Sequence, residues 1–205
     1  RQHGDKSLSR RAFSPRAASS SSEAKKERLM PLRTVLDSSD ISRAIKRISH
    51  EILEANSGSE DLVLLGIPTR GVALAERIDA SLAEIDPGYV SNLGVLDITM
   101  YRDDSLDAER EIRPTQIPTS GIDDKVVVLI DDVLYSGRTV RSALDALIDI
   151  GRPRQVKLAV LVDRGHRELP IRPDFVGKNL PTSAAERVNV MLANTDGSDQ
   201  VVIEQ

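Results

Sequence analysis

The amino-acid sequence predicts an α/β fold in which helices flank a mostly parallel sheet. Three short apolar runs, at 61–67, 126–130 and 156–162, have the length and continuous apolar character of strands buried on both faces. Amphipathic helical patterns follow the first two runs, as in a chain that alternates strand and helix. With 205 residues, of which 40% are hydrophobic, the chain is long enough to bury a core of its own.

The composition excludes several classes of protein. The chain has no cysteine, which rules out disulfide frameworks and thiolate metal sites and fits a cytoplasmic protein. No apolar run reaches the roughly 20 residues that a membrane-spanning helix requires, so we expect no membrane partner. The net charge is −4, but residues 1–30 carry +5 and the remainder therefore −9. An acidic body argues against indiscriminate nucleic-acid binding and limits any RNA contact to a local basic patch.

The two ends of the chain differ in character from its middle. Residues 1–30 are rich in Ser, Arg and Ala and lack apolar periodicity, which predicts a disordered basic extension. We expect one folded domain over residues 31–205. Within it, residues at about 168–194 contain three prolines and short strand-like pieces that break the alternation of strand and helix. We interpret them as a small hood over the edge of the sheet.

The stretch 126–141 is the most informative part of the chain. Its apolar strand, 126–130, leads into two carboxylates, Asp131 and Asp132, then into a turn of small and hydroxyl residues, and then into a helix that opens near Thr139. This order predicts a ligand site at the carboxyl end of a parallel strand. Amides and hydroxyls at a helix N-terminus suit a phosphate, and paired carboxylates suit a sugar diol or Mg²⁺.

Polar residues also follow the strand at 61–67. Thr69 and Arg70 lie between two glycines at a strand-to-helix turn, where backbone amides and a guanidinium suit a phosphate or pyrophosphate. An ordinary turn with a surface arginine is the alternative interpretation of the same pattern.

A further strand region, at 90–100, ends in Tyr101 and Arg102. The polar segment beyond it continues to about residue 118, and a loop of that length in a compact domain is typical of a functional lid. We therefore expect this segment to close over the site, with Tyr101 and Arg102 at its base.

Two groups of basic residues are candidates for RNA contact. The first lies on a helix predicted over 37–56, opposite a stripe of isoleucines, and a solvated helix surface is the alternative explanation. The second follows the strand at 156–162. The candidates are Arg43, Lys46, Arg47 and His50 in the first group, and His166, Arg167, Arg172 and Lys178 in the second.

These motifs resemble known families of protein. The strand, the acidic pair and Ser-Gly-x-Thr at 136–139 are similar to the signature with which type I phosphoribosyltransferases bind phosphoribosyl diphosphate (PRPP). The segments 161–173 (LVDRGHRELPIRP) and 174–183 (DFVGKNLPTS) resemble the narrower PyrR family of pyrimidine operon regulators. The resemblance extends in unbroken order over about residues 34–204.

The resemblance implies a fold, an activity and partners. The fold would be that of type I phosphoribosyltransferases, with a hood, and the reaction would be uracil + PRPP → UMP + pyrophosphate with Mg²⁺. UMP or UTP would favour binding to the leader or upstream mRNA of pyrimidine genes, and the protein would form a homodimer or a higher homo-oligomer. The alternative is a phosphoribosyltransferase for another nucleobase without an RNA role. The sequence leaves open whether regulation acts by transcription attenuation or on translation.

The resemblance also implies roles for individual residues. Asp131 and Asp132 would hold the ribose hydroxyls, would be the candidate protein ligands of Mg²⁺, and with Arg70 would form the catalytic set. Val188 in the hood would pack on the base. The full set expected to bind PRPP or UMP is Thr69, Arg70, Tyr101, Arg102, Asp131, Asp132, Val133, Leu134, Tyr135, Ser136, Gly137, Arg138, Thr139, Arg164 and Val188.

Overall fold

The computed structural model describes residues 32–102 and 114–205. The predicted basic extension at 1–30 and most of the predicted lid lie outside the described residues. In chain order the elements are β1 (Leu32–Leu36), α1 (Ser38–Ala55), β2 (Leu62–Gly66), α2 (Arg70–Ile85), β3 (Leu93–Val95), β4 (Val126–Leu134), α3 (Arg138–Ile150), β5 (Gln155–Asp163), β6 (Phe175–Asn179), β7 (Arg187–Met191), α4 (Ala193–Asp196) and β8 (Gln200–Glu204). Within these ranges, no helix combines the length and the apolar character needed to cross a membrane.

The main sheet confirms the predicted fold class. Its five strands in the described chain are all parallel, in the order β3-β2-β4-β5-β6. Alternate side chains of the central strand β4 enter two different apolar layers, one shared with α1 and α2 and the other with α3. Because both faces of β4 are covered, every residue of its apolar run is buried, as the continuous pattern predicted.

Helix α1 forms as the sequence predicted. Asp37 caps its N-terminus by accepting a hydrogen bond from the backbone N–H of Asp40, and the Asp40 side chain reciprocates to the backbone N–H of Asp37. The predicted isoleucine stripe is buried against the layer that contains α2 and β4. Its members are Ile41, Ile45, Ile48 and Ile52.

Two strands differ in length from the prediction. β4 continues to Leu134 rather than ending at residue 130, because it pairs with β5 as far as Leu134 and Asp163, so both aspartates are strand residues. The strand region predicted at 90–100 reduces to Leu93–Val95. The apolar residues Leu96 and Ile98 pack in the layer with α3, but they do not continue the pairing of β3 with β2.

The second sheet is antiparallel and differs from the hood that was predicted at about 168–194. Its strand order is β1-β8-β7, so it recruits β1 and β8, which are almost 170 residues apart in the chain. β6, which the sequence placed in the hood, instead pairs in parallel with β5 and buries Phe175 in the core. We keep the term hood for the β1-β8-β7 sheet together with residues 192–199, which connect β7 to β8.

Helix α3 exposes part of the apolar face that the sequence predicted. Val140 and Leu147 are buried, whereas Leu144 is 37% and Ile148 is 60% exposed. The apolar stripe of the helix is therefore wider than the sheet surface that it covers.

Gly71 allows α2 to begin directly against β4. A Cβ atom at this position would lie 2.4 Å from the backbone oxygen of Ile130, at a distance that no side chain tolerates. Gly66 has the same function at the end of β2, because its Cβ would lie 2.6 Å from Cα of Val72. The two glycines thus bring Arg70 and Asp131 to one edge of the sheet.

We predict that Gly71→Ala lowers the free energy of unfolding by about 2 kcal/mol or more, because the new methyl group forces α2 away from β4. Urea denaturation measures this change. Gly88→Ala is the control, since a Cβ there would meet only the Asp86 carboxylate at 3.3 Å, and we expect a smaller loss. Equal effects of the two substitutions would contradict the packing role of Gly71.

Candidate active site

An open cleft of about 230 Å³ lies at the carboxyl ends of β2 and β4. It joins three segments that are distant in the chain: the turn before α2, the end of the 3₁₀ turn Thr99–Tyr101, and the end of β4 with the start of α3. All but the first of its lining residues were predicted to bind PRPP or UMP. They are Pro68, Thr69, Arg70, Arg102, Asp131, Asp132, Val133 and Thr139.

Asp131 and Asp132 are held in the cleft by the backbone of their own strand. Asp131 is only 7% exposed, and its Oδ1 accepts a hydrogen bond of 2.9 Å from the N–H of Asp132. Asp132 is half-buried, and its Oδ1 accepts a hydrogen bond of 2.8 Å from the N–H of Val133. These bonds fix both carboxylates without using a charged partner.

The environment of Asp131 disfavours its ionised form. Burial raises the pKa of this carboxyl well above its usual range, and the neighbouring Asp132 carboxylate raises it further. The hydrogen bond from the Asp132 backbone and the Arg102 guanidinium act in the opposite direction. A positive charge next to Asp131 would therefore lower the pKa of this carboxyl and favour its ionised form.

The turn between β4 and α3 presents backbone amides. Gly137 is the N-cap residue of α3 and lies in the left-handed region, with φ of +95°, and it offers no side chain to cap the helix. The hydroxyl of Ser136 accepts a hydrogen bond of 3.3 Å from the N–H of Arg138. The carbonyl of Ser136 accepts two more, from the N–H groups of Glu168 and Leu169, which anchor the turn. An uncapped helix N-terminus in a fixed turn is an anion site.

The turn before α2 supplies the opposite side of the cleft. The peptide bond between Pro68 and Thr69 is cis. The guanidinium of Arg70 donates from Nε to Oδ2 of Asp196 at 3.1 Å and from Nη2 to Oδ1 at 2.8 Å. This bidentate pair raises the pKa of Arg70 further. The sequence did not predict the contact, since 126 residues separate the two partners and no local pattern links them.

Comparison with known proteins identifies the family. The model of the phosphoribosyl transferase domain matches residues 32–191. The bifunctional protein PyrR of Leifsonia xyli subsp. xyli is 60% identical over 181 residues, which cover 86% of this chain and 98% of that protein. The bifunctional protein PyrR of Streptomyces coelicolor is 60% identical over 172 residues, covering 83% and 89%. The chain belongs to the PyrR family of phosphoribosyltransferases.

Solved structures of hypoxanthine phosphoribosyltransferases share the fold of this PyrR-family chain. The enzyme of Trypanosoma cruzi aligns with a TM-score of 0.64 at 16% identity, over 84% of this chain and 96% of that chain. The enzyme of Staphylococcus aureus aligns with a TM-score of 0.62 at 19% identity, over 84% and 92%. At these identities the likeness concerns the fold alone.

Among the residues predicted to bind PRPP, Tyr101 and Arg164 do not line the cleft of the PyrR-family chain and make polar contacts elsewhere. The Tyr101 hydroxyl donates a hydrogen bond of 2.6 Å to Asp149 of α3. Arg164 is buried, and its guanidinium donates to the carbonyl of Glu186 at 2.7 Å while stacking 4.1 Å from the ring centre of Tyr135. Arg164 thereby secures the loop that leads to the hood.

The other predicted ligand contacts occupy varied environments. The Leu134 side chain is buried in the layer with α3, so only its backbone can reach a ligand, and its carbonyl already accepts the N–H of Arg164. Val188 lies on β7 of the hood, where it is half-buried against the core.

The two groups of basic residues predicted to contact RNA differ in how many of their side chains make contacts within the protein. On α1 the side chains line a shallow groove together with Glu51 and Glu54. Arg47 also donates to the backbone oxygens of Val176 at 3.1 Å and Gly177 at 2.6 Å, which ties α1 to β6. The other lining residues are Arg43, Lys46 and His50.

The second basic group is largely engaged in internal contacts. Arg167 donates to the carbonyls of Ile171 and Tyr135 and to the carboxylate of Asp163. His166 lies with Nε2 2.5 Å from the carbonyl of Thr182. Arg172 and Lys178 are exposed.

We predict that Asp131→Asn stabilises the empty protein at neutral pH. The raised pKa of Asp131 means that the native state binds this proton more tightly than the unfolded state does. Stability is therefore lost as the pH rises above the usual range of an aspartate, and the loss is complete above the native pKa. The cost disappears as the pH falls below the usual range of an aspartate. Urea midpoints at pH 7.5 and pH 3.5 measure the difference between variant and parent. A gain that does not shrink at the lower pH would contradict the assignment.

Proposed function

We propose that the cleft binds PRPP and transfers its phosphoribosyl group to uracil, and that the basic face of α1 binds the leader or upstream mRNA of pyrimidine genes. Membership of the PyrR family confirms the two functions predicted from the sequence, a regulator and a uracil phosphoribosyltransferase. The observation that carries the proposal is the meeting of two carboxylates, two guanidinium groups and an uncapped helix N-terminus in one cleft.

Each part of PRPP has a chemical counterpart in the cleft. Asp131 and Asp132 would accept hydrogen bonds from the 2′- and 3′-hydroxyls of the ribose. The turn at 136–139 would bind the 5′-phosphate through its amides and hydroxyls. Arg70 and Arg102 would bind the pyrophosphate.

The reaction needs electrostatic stabilisation more than covalent catalysis. The bond between C1′ and the pyrophosphate oxygen breaks as N1 of uracil forms its bond to C1′ and releases its proton to the solvent, and positive charge builds on the ribose ring meanwhile. Asp131 and Asp132, fixed next to that ring, oppose the developing charge. Because their own backbone already orients them, they need not reorganise during the reaction.

The residues of the cleft fit Mg²⁺ carried by the substrate. Among the described residues there is no cluster of three or more His, Asp or Glu side chains that would hold a metal ion alone. Mg²⁺ commonly takes one or two carboxylates together with substrate phosphates and water, and Asp131 and Asp132 provide that pair. Bound there, the ion would neutralise the pyrophosphate and make it a better leaving group.

The RNA proposal rests on the exposed basic face of α1. The folded body is acidic, so phosphate contacts have to concentrate where Lys and Arg cluster. Lys46 and His50 line the groove on α1, and no described residue bonds to the Lys46 side chain. UMP or UTP in the cleft would favour this binding.

We also propose that the protein works in the cytoplasm as a homodimer or larger homo-oligomer. The exposed side chains of Leu144 and Ile148 on α3 support the assembly, because they form an apolar surface that a second copy would cover.

We predict that Asp131→Asn/Asp132→Asn lowers kcat for UMP formation by at least about 100-fold, because both charges that face the ribose are lost. A turnover assay with PRPP, Mg²⁺ and a panel of bases measures the rate and also tests uracil against hypoxanthine. Asp123→Asn/Asp124→Asn, an aspartate pair just before the other end of β4, is the matched control and keeps parental activity. Undiminished turnover in the cleft variant, with its urea midpoint intact, would refute the assignment.

We predict that Lys46→Ala/His50→Ala weakens binding to the organism's own pyrimidine leader RNA roughly tenfold and reduces the salt dependence by about one charge. Arg47 is left in place because it also holds β6. Affinity is measured against salt, with and without UMP. Arg154→Ala, an exposed arginine just before β5, is the control and retains parental affinity. Parental affinity and slope in the α1 variant would remove this face from the RNA site.

A further inference from the structure

Two parallel ion pairs connect α2 to the hood. Arg70, in the first turn of α2, binds Asp196 through Nε and Nη2. Two turns further along the same helix, Arg77 binds Asp199 through Nη1 and Nη2, both at 2.8 Å. The two carboxylates are similarly buried, with side chains 16% and 14% exposed. The difference that matters for the site is that Arg70 lines the cleft and Arg77 does not.

The Asp196 carboxylate is itself fixed. Its Oδ2 accepts a hydrogen bond of 2.9 Å from the N–H of Leu192, and its own N–H donates to the carbonyl of Leu192 at 2.6 Å. Leu192 is completely buried in the core, so this anchor does not move freely. The hydrogen bond from Arg70 also lowers the pKa of Asp196, which keeps the carboxylate ionised.

We propose that Asp196 is a positioning residue for the phosphoribosyl transfer. It holds the edge of the Arg70 guanidinium that carries Nε and Nη2, and leaves Nη1, which has no hydrogen-bond partner in the described chain, for the pyrophosphate of PRPP. This inference rests on the proposed function, in which Arg70 binds that group.

The physical reason is preorganisation. A free arginine side chain samples many rotamers, and binding a phosphate with it costs the entropy of fixing one of them. A bidentate carboxylate fixes the guanidinium plane before the substrate arrives. The hood, which also carries Val188, is thereby joined to the pyrophosphate side of the cleft by a direct contact between charged groups.

The test compares Asp196→Asn with Asp199→Asn in steady-state assays with PRPP and uracil. We expect Asp196→Asn to raise KM for PRPP about tenfold, and to change kcat and KM for uracil by less than about twofold. Asp199→Asn breaks a bidentate ion pair on the same helix and hood segment, and keeps all three parameters within about twofold of the parent. Asp196→Glu, which retains the charge, gives an intermediate KM and replaces Asp196→Asn as the test variant if the latter does not fold.

The Arg70→Ala background shows whether Asp196 acts through Arg70. If it does, Asp196→Asn adds no further change to KM for PRPP once Arg70 is alanine. Equal effects of the two aspartate variants, a lower KM for PRPP in Asp196→Asn, or an additional effect in the Arg70→Ala background would each overturn the inference. If Arg70→Ala raises KM for PRPP and Asp196→Asn does not, the inference fails while the proposed function stands. If Arg70→Ala itself has no effect, the assignment of Arg70 fails first.

Discussion

The site depends on the position of two neighbouring carboxylates at the end of a strand that is buried on both faces. β4 lies in the middle of the parallel sheet, so the segments that follow β2 and β5 flank Asp131 and Asp132 on either side. Asp131 is buried there at a cost, which its raised pKa expresses. The packing of aliphatic side chains on both faces of β4 offsets that cost, because it holds the strand in place.

A second requirement is that the hood keeps a fixed position relative to the main sheet. The hood is assembled from both ends of the described chain, and ion pairs connect it to α2 in addition to the contacts of the shared core. The pair of Arg70 and Asp196 is partly screened by water, so its contribution to stability is small. The pair is important for geometry, because it fixes the position of the Arg70 guanidinium relative to Asp132. The charge of Asp132 also acts on Arg70.

The parts of this structure that were predictable from the sequence are those whose cause is local. The apolar run of β4, the turn at Ser136 and Gly137, and the capped helix α1 all follow from residues within a few positions of one another. β6 was misassigned to the hood because a five-residue strand that pairs with β5 carries no signal of its partner. The same reason explains why the sequence did not indicate the internal contacts of Arg164, whose partners lie about 20 residues further along the chain.

The surfaces proposed for the two functions differ in their charged groups, and they lie on different elements of the fold. The cleft has to accept a polyanion while keeping two carboxylates next to the ribose, so it combines Asp131 and Asp132 with Arg70 and Arg102. The α1 face carries its cations on a helix whose buried side is packed into the core, and so presents them in a fixed spacing.

With only five aromatic side chains in the whole chain, stacking on bases has little to contribute. Recognition of RNA on this face would therefore come from that fixed spacing matched to the phosphates of a folded loop.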